Sequence, residues 1–224
     1  MLIKDEVVVL KVDEFMESSS IVTALSKSSG LLKLMAKGAQ RVKSQLRMAF
    51  QLFSRSELIY YYKPDREFNI LKEGKILEAF DEIPRDYEKF YLISYIAAYI
   101  IKNVPQEAGE NIYLDVLNLI RFVNTSSTLN ENLYNFFVLR NQMRQGEFPS
   151  FDYCARCKSR DLEYFIPSQK TVVCGRCARP DELKVPVDQG TSSEIRFILH
   201  KSWQEVNSLA LRENTRRLLE TFIT

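Results

Sequence analysis

Histidine occurs once in this chain, at His200, which excludes a metal centre or proton relay built on two imidazoles. The sequence places it in a predicted helix among Phe197, Ile198 and Leu199, close to Trp203 and with no nucleophile motif nearby, so it reads as a structural residue. Also absent are a P-loop, a Gly-rich dinucleotide turn and a G-x-S-x-G elbow, and nothing here supports an enzyme. Asp81, Glu82 and Asp86 read as a solvated surface rather than a catalytic carboxylate cluster. Glycine and proline number only seven each in 224 residues, too few for a low-complexity chain. The longest apolar stretch, Phe90 to Ile101, is broken by Ser94 and too short to cross a bilayer. Met1-Leu-Ile-Lys-Asp-Glu puts charge where a signal peptide needs an apolar segment, so a cytoplasmic protein without membrane association is expected.

Cysteine is scarce, yet all four residues fall into two pairs, Cys154-Ala-Arg-Cys157 and Cys174-Gly-Arg-Cys177, separated by 16 residues. Thiols stay reduced in the cytoplasm, which favours metal over disulfides. Four soft thiolates at this spacing can converge on one Zn²⁺, with the intervening stretch forming a short hairpin. A thioredoxin-like reading would need a βαβ pattern near the cysteines, and none is present. A complete set of four thiolates leaves no open position for substrate, so the metal is expected to be structural, contributing about 10–16 kcal/mol of apparent binding free energy to folding.

Acidic residues are missing from Ser18 to Ser56, while Lys27, Lys33, Lys37, Arg41, Lys43, Arg47 and Arg55 give that segment a charge of +7. Glu57 to Asp152 holds 15 acids against 10 bases, a net of −5, so the small overall charge of +2 is unevenly spread. A positive segment on an acidic body suits a polyanion partner. Lys37, Arg41, Lys43 and Arg47 fall within eleven residues of a glycine-containing connection that can follow a phosphate backbone. Phe50, Phe53 and Tyr60-Tyr61-Tyr62 could offer stacking faces; the two phenylalanines read better as core, and one of the three tyrosines is expected to face outward. The cysteine segment adds Arg156, Lys158, Arg160, Lys170, Arg176, Arg179 and Lys184 against four acids, which would extend the positive surface.

At this length two domains with a small third module are expected. Residues 1–80 read as β: Glu6–Val12, Ile21–Leu25 and Leu31–Ala36, the last two closed by a turn containing Gly30, then Phe50–Phe53, Glu57–Tyr62 and Phe68–Phe80. Five or so strands in so short a span predict a small oligonucleotide-binding (OB) barrel, with a five-stranded SH3-like barrel as the alternative. Helical periodicity starts at Asp86 and stops at Pro105, and resumes over Asn111–Asn124. A third helix is expected from an Asn130 N-cap to Gln145, stopped by Gly146; Thr191–Glu194 has capping-box form before a helix through His200, and a last helix runs from Asn214 to about Phe222. The expected division is a barrel over 1–82, helical parts over 83–150 and 185–224, and a zinc module over 151–184. The class is α+β multidomain, a five-stranded OB-type barrel followed by an all-α domain carrying the four-cysteine zinc module.

Ser20-Ile-Val-Thr-Ala-Leu-Ser, Gly30-Leu-Leu and Ala36-Lys-Gly-Ala39-x-Arg41-x-Lys43-Ser44 resemble the amino-terminal motif of the bacterial RecO family. The cysteine quartet before the last helices matches the same layout, and the resemblance runs through essentially the whole chain. It implies a non-catalytic recombination mediator that binds single- and double-stranded DNA, anneals complementary strands, and works with RecR and the tail of single-strand-binding protein so that RecA can load. It implies a nucleoid-associated cytoplasmic protein with one structural Zn²⁺ on Cys154, Cys157, Cys174 and Cys177. By position Lys37, Arg41, Lys43 and Ser44 match the family's basic motif and are assigned to DNA backbone contact; Arg47 is added on charge alone. Gln40 stands where many relatives carry another base. Two other readings stay open: a zinc-containing adaptor for protein partners without direct DNA binding, and an enzyme of thiol or metal chemistry.

Overall fold

The computed structural model describes residues 1–64, 66–105 and 109–223. It comprises two compact units, Met1–Leu129 and Asn130–Thr224. The first is built on a closed five-stranded barrel: β1 (Leu2–Phe15), β2 (Ser19–Ser26), β3 (Gly30–Ala36), β4 (Arg55–Tyr61) and β5 (Asn69–Glu78), in the order β1-β2-β3-β5-β4. Neighbours are antiparallel except β3 and β5, which run parallel through the Leu34–Asn69 and Met35–Ile70 pairs. This is the OB-type barrel expected from the sequence.

β1 makes closure possible because 14 residues suffice to pair twice: Leu2–Val8 with β4 and Val7–Phe15 with β2. Val7 and Val9 face the barrel interior with Val22, Leu34, Leu58, Tyr60 and Leu71. Val8 and Leu10, on the alternate face, are equally buried because helices α1 (Tyr87–Asn103) and α2 (Glu110–Thr125) pack against β1. Phe50–Phe53 is not a strand. Phe53 has φ +65° and its N–H donates to the Val9 carbonyl, turning the chain into β4, while Phe50 and Phe53 are both buried. Gly74 marks a close approach: a Cβ there would lie 2.5 Å from Leu58 Cδ2 and 2.9 Å from the Glu57 carbonyl oxygen.

An ion-pair cluster ties the barrel to α2. The Arg55 guanidinium donates to both Glu6 carboxylate oxygens at 2.9 Å, Tyr113 of α2 donates to Glu6 at 2.7 Å, and Arg121 of α2 makes a bidentate pair with Glu78 of β5. Asp86 caps α1, accepting from the Glu88 and Lys89 N–H groups, and Val104 ends it just before Pro105.

The second unit holds α3 (Leu133–Arg144), α4 (Gln189–His200), α5 (Trp203–Asn207), α6 (Glu213–Ile223) and a small sheet between α3 and α4. Arg140 of α3 is buried, stacks 3.9 Å over Trp203 and donates to the Ile198 and Lys201 carbonyls, gathering three helices on one side chain. Two capping expectations are corrected. Asn132, not Asn130, occupies the N-cap of α3; Asn130 instead spans to the Asn207 and Leu209 carbonyls. Helix α4 starts earlier than Thr191, on an Asp188 cap, and the capping box is Ser202 with Glu205 at α5. His200 is exposed at the end of α4.

Hydrogen bonds from Arg55 and Arg121 hold Glu6 and Glu78 below the ordinary value of 4.5. A carboxylate whose folded pKa is depressed stabilises the fold above its unfolded pKa and loses that contribution as pH falls through the folded value. The urea midpoint should therefore drop as pH falls below about 4.5, and Glu6→Gln should shallow that drop; identical pH profiles for parent and variant would contradict the cluster's role.

Candidate nucleic-acid interface and metal centre

The basic segment leaves β3 at Ala36 and closes one end of the barrel. Gly38, at φ +69°, lets the chain turn, and the Arg41 side chain folds back over it with Nε 3.4 Å from where a Cβ would stand. Successive turns follow: Arg41 N–H to the Gly38 carbonyl, Ser44 N–H to Arg41, and Arg47 N–H to Ser44, the last entering a 3₁₀ turn over Gln45–Met48. Ala39, Ala49 and Phe50 are buried in the barrel core and Leu46 packs against it. Gln40 donates to the Ser19 carbonyl at 3.1 Å and its N–H to the Ser18 carbonyl at 3.0 Å, latching the segment to the β1–β2 turn. In this chain the residue at that position is a structural latch.

Between these anchors Lys37, Arg41, Lys43 and Arg47 are all exposed, and among the described residues none pairs with a carboxylate. Ser44 is half-buried at the start of the 3₁₀ turn and its hydroxyl makes no cap bond. The structure thus brings the five residues onto one pinned connection. Two neighbours escaped the sequence reading: Val42 is 93% exposed and Met48 75% exposed, apolar side chains standing among the cations. Only their exclusion from the core signals them. Of the tyrosine run, Tyr60 is fully buried and both Tyr61 and Tyr62 are exposed, one more than expected. Phe50 and Phe53 are closed off from any ligand.

The cysteines come together in the second unit. Strands β6 (Tyr164–Ile166), β7 (Thr171–Val173) and β8 (Val185–Pro186) form a sheet in the order β7-β6-β8, with Lys170 at φ +47° in the β6–β7 turn. Each Cys-x-x-Cys is a tight turn: Lys158 N–H reaches the Cys154 carbonyl at 3.0 Å, and Cys177 and Ala178 N–H reach that of Cys174 at 3.0 and 3.1 Å. The four Sγ atoms lie within 4.8 Å of one another, with Cys157 and Cys174 3.6 Å apart. Zn–S bonds of about 2.3 Å in a tetrahedron require sulfur separations of about 3.8 Å, so the quartet fits that ion. Burial raises the Cys154 thiol, but N–H donors from Cys157, Cys174 and Arg156 outweigh it and bring the thiol down to about 6, while hydrogen bonds with the Cys157 and Cys174 thiols push Cys177 up to about 12. One thiolate is readily accommodated here; four together need a cation among them.

The module's own core is small, Cys154, Ile166, Val173 and Cys174 with four partly buried neighbours. Arg156 is committed to it: it donates to the Cys177 carbonyl, Gln169 and Glu182, and that pairing holds the Glu182 carboxyl down at about 2. It does not join the positive surface expected of this segment.

Two family models match the chain in sequence order, Recombination protein O N terminal over residues 1–80 and Recombination protein O C terminal over residues 84–224. The chain is similar to DNA repair protein RecO of Halalkalibacterium halodurans, 26% identical over 98% of this chain and 86% of that protein. It is likewise similar to DNA repair protein RecO of Bacillus subtilis, 25% identical over 100% of this chain and 87% of the relative, and to that of a Thermoanaerobacter species, 26% over 100% and 90%.

Titrating the reduced, metal-free protein with Co²⁺ should develop the ligand-field bands of a tetrahedral tetrathiolate and saturate at one ion per chain, and Cys174→Ser should weaken them. Saturation at any other ratio, or no such bands, would contradict the quartet as one site.

Proposed function

The chain belongs to the RecO family of DNA repair proteins, and from that premise we propose that it is a non-catalytic mediator of recombinational repair whose barrel, residues 1–82, grips single- and double-stranded DNA. The observation that carries the reading is the connection after β3: four exposed cations, without carboxylate partners among the described residues, on a segment fixed by buried Ala39 and Phe50. Phosphate oxygens take the place such partners would fill, and release of condensed counterions supplies the affinity. In this reading Lys37, Arg41, Lys43 and Arg47 contact the backbone and the Ser44 hydroxyl adds a neutral donor. Strands held electrostatically remain free to find their complements, so annealing needs no covalent chemistry.

In the same proposal Cys154, Cys157, Cys174 and Cys177 hold one structural Zn²⁺ that keeps the module over 151–184 folded. The helical parts, 83–150 and 185–224, dock the tail of single-strand-binding protein, and RecR is a further partner in letting RecA load. The protein then works in the cytoplasm at the nucleoid.

Replacing Lys37, Arg41 and Lys43 together by Ala should weaken binding to single strands regardless of sequence. The slope of log affinity against log salt should fall by about 2, at about 0.7 per lost phosphate contact. A folded triple variant with the parent's isotherm and slope would move the reading to a protein adaptor that does not touch DNA.

A further inference from the structure

A cavity of about 470 Å³ opens in the barrel wall between the first half of β3 and the β4–β5 connection. It lies away from the basic connection, which joins the end of β3 to the start of β4. Its floor is apolar, with Leu32 and the Tyr60 ring contributed by the barrel core. Burial, and after it the Asp5 charge, pushes the Tyr60 hydroxyl up to about 12, so the floor carries no phenolate; the Asp5 carboxylate behind it is turned to the Ser26 and Ser28 hydroxyls.

The rim differs in character. Tyr62 is 39% exposed there, and its backbone is fixed by its N–H donating to the Met1 carbonyl at 2.8 Å. Around it stand Lys33, Lys63 and Arg66, none paired with a carboxylate among the described residues, against Glu67. A cavity of this size with an apolar floor, an accessible aromatic side chain and, among the described residues, an excess of cations matches a flat heteroaromatic ring attached to phosphates. Lys33 on β3 and Lys37 just past its end are both exposed, about 13 Å apart at ~3.3 Å per residue, so one strand can run from this cavity to the basic connection.

We infer that this cavity receives one unpaired base of single-stranded DNA, stacked on Tyr62, with Lys33, Lys63 and Arg66 holding the flanking phosphates. The inference rests on the reading that the barrel binds DNA and makes one end of the barrel selective for single strands. A paired base cannot enter, because its ring is stacked within the duplex.

The test is fluorescence anisotropy with three labelled probes: oligothymidine, a blunt duplex and an abasic oligonucleotide of equal length. Tyr62→Ala, a change at an exposed position, should weaken oligothymidine binding about tenfold and leave duplex binding within about twofold. Tyr62→Phe should bind like the parent, and the parent should hold the abasic probe about as weakly as Tyr62→Ala holds oligothymidine. Unchanged oligothymidine affinity in Tyr62→Ala, or equal losses on single strand and duplex, overturns the base pocket while leaving DNA binding by the basic connection intact. A parent protein that binds none of the probes overturns the DNA reading, and this inference with it.

Discussion

Closure of the barrel rests on a short parallel contact, Leu34 with Asn69 and Met35 with Ile70. Every other strand pair in the barrel is a longer antiparallel ladder, and without this contact β3 and β5 would be free edges. The contact dictates where the connections go. Because β3 neighbours β5 rather than β4, the chain leaving β3 must pass the barrel's end before β4 begins, and Leu46, Ala49 and Phe50 fill that end as it passes. Gly74 permits the approach, with Ala49 Cβ 3.4 Å from the position a side chain would occupy. The same order brings the β4–β5 connection alongside the first half of β3. Both charged regions of the barrel are consequences of how the sheet closes.

Charge is handled in two ways within this unit. Cations facing the strands and α2 are neutralised: Lys4 and Lys75 by Glu57, Arg55 by Glu6 and Glu78, Arg121 by Glu78. Among the described residues, those on the connection after β3 are not, nor are Lys33, Lys63 and Arg66 at the cavity rim. An exposed ion pair is worth about 0–1 kcal/mol, so leaving these side chains unpaired sacrifices little stability while keeping a dense positive surface available to an anion. The anchors beneath are apolar and buried, so the surface is preformed and a ligand need not order it. The cysteine module solves a different problem. A hairpin with four core residues cannot offset its chain entropy unaided, and a metal among the four sulfurs would supply what its core lacks.

Much of this was legible in the sequence because its signals are local. β-branched alternation, the turn containing Gly30, the Asp86 start and Pro105 stop of α1, and the cysteine spacing each act over a few residues. What escaped is long-range. Nothing local singles out Arg140, whose partners Trp203 and the Ile198 carbonyl lie 58 or more positions away. Arg55 reads as part of the positive segment until the barrel brings it to Glu6 and Glu78, with the Tyr113 hydroxyl on Glu6 as well. Asn130 has the composition of an N-cap, yet its amide is drawn to the Asn207 and Leu209 carbonyls, and Thr191–Glu194 has the spacing of a capping box but lies inside a helix begun at Asp188. The β4–β5 cavity leaves no sequence motif, because its floor and rim come from separate strands.

Lysine footprinting tests whether the cations after β3 grip the DNA backbone. The protein would be acetylated with an amine-reactive reagent in the presence and absence of a single-stranded oligonucleotide, and site occupancy read by mass spectrometry. Lys37 and Lys43 should be shielded by the oligonucleotide and re-exposed by high salt, while Lys11, paired with Asp13, and Lys201, paired with Glu205, should react equally in both states. Full reactivity of Lys37 and Lys43 under conditions where DNA is bound would contradict that grip.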